Sequence, residues 1–136
     1  MKDTAAKFFD ACETGKGWES CKPFCHPNAS FTAQADAFKD VQTLEAYTEE
    51  MKGLIAGPLP DASYELRSLA VDEDHSNVCG FAVFKGSNTG EGGPGAPTGK
   101  KVETDFVYVM QFDGDRISHM TKIWNDGFAM RQLGWA

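Results

Sequence analysis

The sequence lacks any long apolar run. Its uninterrupted hydrophobic stretches extend over only a few residues, far short of the ~20 that a membrane-spanning helix needs. It also lacks an excess of basic charge. Thirteen Lys and Arg stand against twenty Asp and Glu, a formal net charge of −7, and no Lys/Arg cluster offers a local exception. An acidic body of this kind repels phosphate, which argues against nucleic acid and anionic membrane surfaces as partners. No basic-then-apolar segment opens the chain, since Met1-Lys2-Asp3 leads directly into a polar helix pattern; a cytoplasmic location is expected. Histidine is scarce, and His26, His75 and His119 are too scattered to suggest a metal triad. Of the four cysteines, Cys21 and Cys25 sit four apart beside His26, without the spacing of a zinc ribbon or finger. Buried reduced thiols are expected, with no metal and no cofactor.

What is present suits one globular domain. The chain has 136 residues, 41% of them apolar and 24% charged, and a single domain over 1–136 is expected at this size. Ala5, Phe8, Phe9 and Cys12 recur at helical spacing after Asp3, a candidate N-cap, and Gly15 and Gly17 end that helix. A short helix follows from about Trp18 to Phe24, then Pro27-Asn28 turns the chain into a strand near Ala29 to Gln34. A third helix is predicted from about Asp40 to Ala56, with Val41, Leu44, Tyr47, Met51, Leu54 and Ile55 on one stripe, closed by Gly57-Pro58. Four strands come next: Tyr64 to Val71, Val78 to Lys85, Lys101 to Phe112 and Ile117 to Trp124. Asn125 or Asp126 caps a last helix ending at Gly134-Trp135. The order ααβαββββ predicts an α+β fold, a curved antiparallel sheet wrapped by helices. Between the second and third of those four strands, residues 86–100 hold six glycines and two prolines. The segment is expected to be flexible, either a mobile hairpin loop over a cavity mouth or a connection without a role.

The stretch Val102-Glu-Thr-Asp-Phe-Val-Tyr-Val-Met-Gln-Phe-Asp-Gly-Asp-Arg-Ile-Ser-His-Met-Thr-Lys-Ile-Trp124 carries a resemblance. So do the entry Cys25-His-Pro-Asn-Ala-Ser-Phe31 and the tail with Gln132-Leu133-Gly134. Together with the element order they resemble the nuclear transport factor 2-like superfamily, which includes ketosteroid isomerases, scytalone dehydratases and SnoaL-like polyketide cyclases. The resemblance implies a cone-shaped fold, a deep apolar pocket between sheet and helices, and a homodimer built on the sheet. It also implies acid/base chemistry on enolisable or polyketide-like molecules. The positions that carry this chemistry have changed, however. The isomerase base falls on Ala33, the oxyanion tyrosine on Phe8 or Phe9, and the cyclase aspartate on Lys122. Neither the isomerase mechanism nor the standard cyclase mechanism is expected unaltered.

The two-residue period of strands puts Thr104, Phe106, Tyr108 and Met110 on one face of the long strand, and Ser118, Met120, Lys122 and Trp124 on one face of the last. Ile117 and His119 fall on the opposite face. The resemblance turns Tyr108, Lys122 and Trp124 into the pocket. Lys122 and Tyr108 are the candidate catalytic residues: a desolvated lysine serves as a base, a Schiff-base amine or a carboxylate anchor, and a tyrosine supplies an oxyanion hydrogen bond. The alternative is that Lys122 snorkels to solvent or pairs with Glu103 or Asp105. Trp124, Phe106, Met120, His26, Tyr47 and Phe9 are the candidate ligand-binding residues, although His26 could equally cap helix carbonyls and the aromatics could be plain core. The function expected is binding of a small, partly apolar molecule bearing a carbonyl or carboxylate. Cofactor-independent isomerase, cyclase or lyase activity is one form of it, and a non-catalytic binding or dimerisation module the other.

Overall fold

A computed structural model describes residues 1–136. The elements are α1 (Lys2–Glu13), α2 (Trp18–Cys21), β1 (Cys25–Ala33), α3 (Leu44–Ala56), β2 (Ser63–Asp72), β3 (Asn77–Ser87), β4 (Lys101–Asp113), β5 (Arg116–Trp124) and α4 (Asp126–Leu133). Single 3₁₀ turns occupy Lys22–Phe24 and Asp36–Phe38. The predicted α+β class and element order hold. Boundaries move where local chemistry competes. Asp3 lies inside the first turn of α1 rather than capping it, and pairs with Lys7 at 3.0 Å. The third helix starts four residues later than predicted, because the Thr43 hydroxyl accepts from the amide of Ala46 and caps it there. Asn125 caps α4 in the same way, and Gly134 ends it at φ 74°.

The sheet runs β1-β5-β4-β3-β2. It is mixed, which corrects the antiparallel sheet expected: β1 pairs with β5 in parallel, while the other three pairings are antiparallel. The reason is connectivity. Strands β2 to β5 follow one another by turns or a loop and must alternate, whereas β1 is separated from them by α3, so no hairpin dictates its direction. A second correction concerns Ile117. It is fully buried, not on the outer face, because the β4–β5 register shifts between Gln111 and Phe112 and leaves Ser118 as an extra residue. That bulge lets Ile117 and Met120 both face inward.

The helices cover one face of the sheet. α1 delivers Phe8, Phe9 and Cys12 to the core, and α3 delivers Leu44, Tyr47 and Met51. Gly80 on β3 is where Phe9 comes closest: a Cβ there would lie 2.7 Å from the Phe9 ring. The ring fills the space a side chain would take, and lies with its centroid 4.9 Å from that of Tyr108, tilted by 48°.

Within the 86–100 segment, expected to be flexible, Asn88 fastens the two ends. Asn88 is buried, with its amide donating to the Pro58 carbonyl at 3.1 Å. Its Oδ1 accepts from the Thr98 amide at 2.9 Å and from Trp135 Nε1 at 3.2 Å. One side chain thus ties the start of the loop, its end and the C-terminal tail together. All four cysteines are unpaired; Cys12, Cys21 and Cys25 are buried and Cys79 is half-buried. No helix is long and apolar enough to cross a membrane.

Gly80→Ala is expected to lower stability by about 1–3 kcal/mol, the range for overpacking a filled core, read as a reduced urea midpoint at unchanged slope.

Candidate functional site

The pairing of β4 with β5 sets Tyr108 opposite Lys122 and Phe106 opposite Trp124. All four project to the helix-covered side. Opposite them, α3 supplies Tyr47 one turn after its N-cap, and the last residue of α1 supplies Glu13. These side chains meet in one buried chain of hydrogen bonds. Lys122 Nζ donates to the Tyr47 hydroxyl at 2.9 Å, the Tyr47 and Tyr108 hydroxyls are hydrogen-bonded to each other, and Tyr108 donates to Glu13 Oε1 at 3.0 Å. A hydroxyl has one hydrogen to give, and Tyr108 gives its own to the carboxylate; Tyr47 must therefore be the donor to Tyr108. The polarity runs one way, from ammonium to carboxylate.

Lys122 is 6% exposed and Glu13 1%. The ammonium sits among five aromatic rings, with centroids at 4.3 Å for Trp124, 4.9 Å for Phe38, 5.2 Å for Tyr47, 5.4 Å for Phe106 and 5.9 Å for Tyr108. Ring quadrupoles compensate part of the lost hydration. No direct ion pair joins lysine and glutamate; the two tyrosines carry the link. Lys122 neither snorkels nor meets Glu103 or Asp105, the alternative that its sequence left open. Glu103 pairs instead with Lys85 at 3.5 Å.

Burial dominates the protonation of both ends. It raises the Glu13 carboxyl to about 7, against the opposing pull of Lys122 and the Tyr108 hydrogen bond. It lowers the Lys122 ammonium to about 8, against the opposing effects of Glu13 and Cys12. Both tyrosines are pushed well above their ordinary value by burial and, next, by the Glu13 charge, so they remain hydrogen-bond donors. Burial thus shifts the two ends toward each other, the carboxyl up and the ammonium down.

Two adjoining chambers open beside it. The inner one, about 30 Å³, is bounded by Glu13, Phe106, Lys122, Trp124 and the walls Phe38, Met51, Leu54 and Phe84. The outer one, about 130 Å³, shares Phe38, Met51, Leu54, Phe84 and Trp124, and adds Leu133 and Trp135 among others. Glu13 Oε2 is the one buried side-chain polar atom left without a partner. Such an atom marks either a cost or a place for something to bind.

The site residues named from sequence fall into three groups. Lys122, Phe106 and Trp124 line a chamber, and Tyr108 and Tyr47 touch Lys122 from behind the wall. Tyr108 is not free to meet a ligand with its hydroxyl hydrogen, which is committed to Glu13. Met120 and Phe9 are fully buried but line neither chamber; Phe9 supports Phe106 and Tyr108. His26 is the correction. It begins β1 at the far end of the sheet, where its Nε2 donates to the Asp113 carbonyl at 3.0 Å. There it neither caps a helix nor rims the pocket. Sequence reasoning missed Glu13 and Phe38. Glu13 lies four residues after Phe9, on the apolar face of α1, and a carboxylate on that stripe was the available signal. Phe38 gave none, since a lone aromatic in a polar loop has no periodicity to read.

The SnoaL-like polyketide cyclase family profile matches residues 3–133. The chain belongs to this family. No functionally curated protein matches the sequence significantly. Among solved structures, AclR of Streptomyces galilaeus, provisionally assigned as a hydroxylase, superposes with a TM-score of 0.77 at 18% identity, over 99% of this chain and 85% of that one. IdmH of Streptomyces antibioticus, provisionally assigned as a polyketide cyclase, gives 0.77 at 18% identity over 97% and 96%. A protein of Acidithiobacillus ferrooxidans with the same provisional assignment gives 0.77 at 20% identity over 98% and 94%. At these identities the structures establish the shared SnoaL-like fold.

The buried pair predicts the shape of the stability curve. Between its ordinary 4.5 and about 7, the folded state keeps a proton on Glu13 that the unfolded chain has released; stability therefore falls as pH rises through that window. Between about 8 and the ordinary 10.5, the unfolded chain binds a proton that Lys122 lacks in the fold, so stability rises with pH there. Each limb is limited to ~1.4 kcal/mol per pH unit per group. Urea midpoints across pH should show both limbs, with Glu13→Gln flattening the acid one and Lys122→Met the alkaline one.

Proposed function

We propose that this SnoaL-like protein binds a small, partly apolar carbonyl compound in the two chambers and moves a proton on it without a cofactor, as an isomerase, cyclase or lyase. The observation that carries this reading is the buried Lys122 ammonium at the chamber wall, tied through Tyr47 and Tyr108 to a carboxylate with one free oxygen. A fold needs no such arrangement for stability; a hydrophobic residue at 122 would pack at lower cost.

The chemistry follows from the two ends. Lys122 spends one N–H on Tyr47 and has two more to offer. Directed at a carbonyl oxygen, they stabilise the charge that develops there when a neighbouring C–H is broken. The proton leaves to a carboxylate of Glu13, which burial has made a stronger base than an exposed one. The electron pair of that C–H forms the enolate double bond, and the negative charge moves from carboxylate to enolate oxygen beside the ammonium. Trp124 and Phe38 offer flat faces to an aromatic or planar ring. Tyr108, expected as an oxyanion donor, serves as a positioning and relay residue instead. The cyclase assignments of IdmH and the Acidithiobacillus protein agree with this class of reaction.

Self-association and a cytoplasmic location belong to the same reading. The convex sheet face, where Ile123 is 59% exposed, is the surface assigned to a homodimer.

A thermal-shift screen of cyclic ketones, aromatic acids and polyketide fragments tests the site. A ligand at a hundred times its Kd is expected to stabilise the wild type by about 2.7 kcal/mol and to have no effect on Lys122→Met. Hits should also exchange their acidic C–H for deuterium faster with wild type than with Glu13→Gln. Ligands indifferent to Lys122→Met would overturn the reading and favour a non-catalytic module.

A further inference from the structure

The inner chamber holds the ends of the hydrogen-bonded chain as a matched pair of opposite demands. Lys122 offers N–H donors, and Glu13 has an oxygen with nothing to accept. The lysine already has a counter-charge, delivered through Tyr47 and Tyr108. A ligand carboxylate would not find a lone cation. It would enter a site already neutral and bring a second negative charge close to a buried carboxylate whose Oε2 has no donor. That arrangement is costly in a poorly hydrated cavity, unless a proton enters with it. A neutral molecule that accepts at one point and donates at another satisfies both ends and adds no charge.

Size narrows the class further. The chambers hold about 130 Å³ and about 30 Å³, comparable with the ~150 Å³ apolar cavity that takes up benzene in another protein. Trp135 closes the outer chamber, held in place by Asn88. One ring matches this space.

The geometry points to selectivity for an uncharged, single-ring carbonyl compound that also carries a hydrogen-bond donor, its carbonyl oxygen on Lys122 and its donor on one lone pair of the free Oε2 of Glu13, the other lone pair being left to take the C–H proton. This rests on the reading of the same site given above and deepens it, from carbonyl or carboxylate to neutral carbonyl with a donor. Besides each other, the groups that face this pair come from three elements: Cys12 on α1, Tyr47 on α3, which accepts from Lys122, and Tyr108 on β4, which donates to Glu13. Glu50 stands at the outer chamber and adds negative charge at the rim. The two carboxylates, Glu13 and Glu50, disfavour an anion, and the neutral Cys12, Tyr47 and Tyr108 add no positive charge to offset them.

Matched probes separate the possibilities. Calorimetric titration of the full chain with 3-hydroxyacetophenone, 3-hydroxybenzoate and acetophenone at pH 7.5, in two buffers of different ionisation enthalpy, gives affinity and protons exchanged together. The hydroxyketone is expected to bind at least about tenfold more tightly than the benzoate and than acetophenone. The benzoate is expected to take up close to one proton on binding. Glu13→Gln should abolish that uptake and narrow or reverse the preference, since it leaves Lys122 without its counter-charge; if that variant does not fold, proton uptake by the wild type decides. Benzoate binding as tightly as the hydroxyketone without proton uptake would overturn the inference while leaving the cavity a ligand site. So would acetophenone matching the hydroxyketone. Failure of all three probes to bind, or binding unchanged in Lys122→Met, would overturn the underlying reading as well.

Discussion

The burial of one ammonium group organises this molecule. A lysine taken out of water loses several kcal/mol of hydration, and everything around Lys122 answers that loss. Five rings turn their electron-rich faces or edges toward it, Tyr47 accepts its hydrogen bond, and Glu13 supplies the balancing charge at the end of a two-tyrosine bridge. The bridge keeps the opposite charges apart. A direct ion pair would quench both ends; the relay leaves Lys122 with spare donors and Glu13 with a spare acceptor, facing the same space.

That arrangement fixes what the fold can vary. The relay joins α1, α3, β4 and β5, so it senses the relative position of both long helices and the sheet. Phe9 stands behind Tyr108 and Gly80 makes room for Phe9; the glycine belongs to the site although it touches no ligand. The outer wall is held independently, by Asn88 gathering Pro58, Thr98 and Trp135. Inner chemistry and outer shape are thus built from different parts of the chain. A family can then change its ligand by altering the loop and tail while keeping the sheet.

Membership of the SnoaL-like family makes the departures informative. The position read as the cyclase aspartate is a lysine here, and the carboxylate sits on α1 instead. The pocket of this chain holds charges of both signs, Lys122 on β5 and Glu13 on α1. The shared fold therefore does not transfer the mechanism, and the residues of this chain have to be argued on their own terms.

Local pattern was enough for much of this. Helical spacing in Ala5-Phe8-Phe9-Cys12, alternation along Thr104 to Met110, and turn chemistry at Asp113-Gly114-Asp115 each depend on neighbours within a few residues, and the α+β order followed from them. That Lys122 shares a face with Trp124, and Phe106 with Tyr108, was legible for the same reason, because the strand period is local; that these faces line the pocket came from the family resemblance. The parallel seat of β1, the bulge at Ser118 that turns Ile117 inward, the remote position of His26 and the anchoring of the loop by Asn88 were not. The bulge is settled by cross-strand register within one hairpin, and the others by partners as much as thirty to ninety residues away. Glu13 shows the boundary most clearly. It was passed over in the sequence, although it lies four residues after Phe9 on the apolar stripe of a helix; only the tertiary structure brought Tyr108, ninety-five residues on, to its carboxylate. What a buried charge does depends on which charge is brought opposite it, and that is a property of the packed chain.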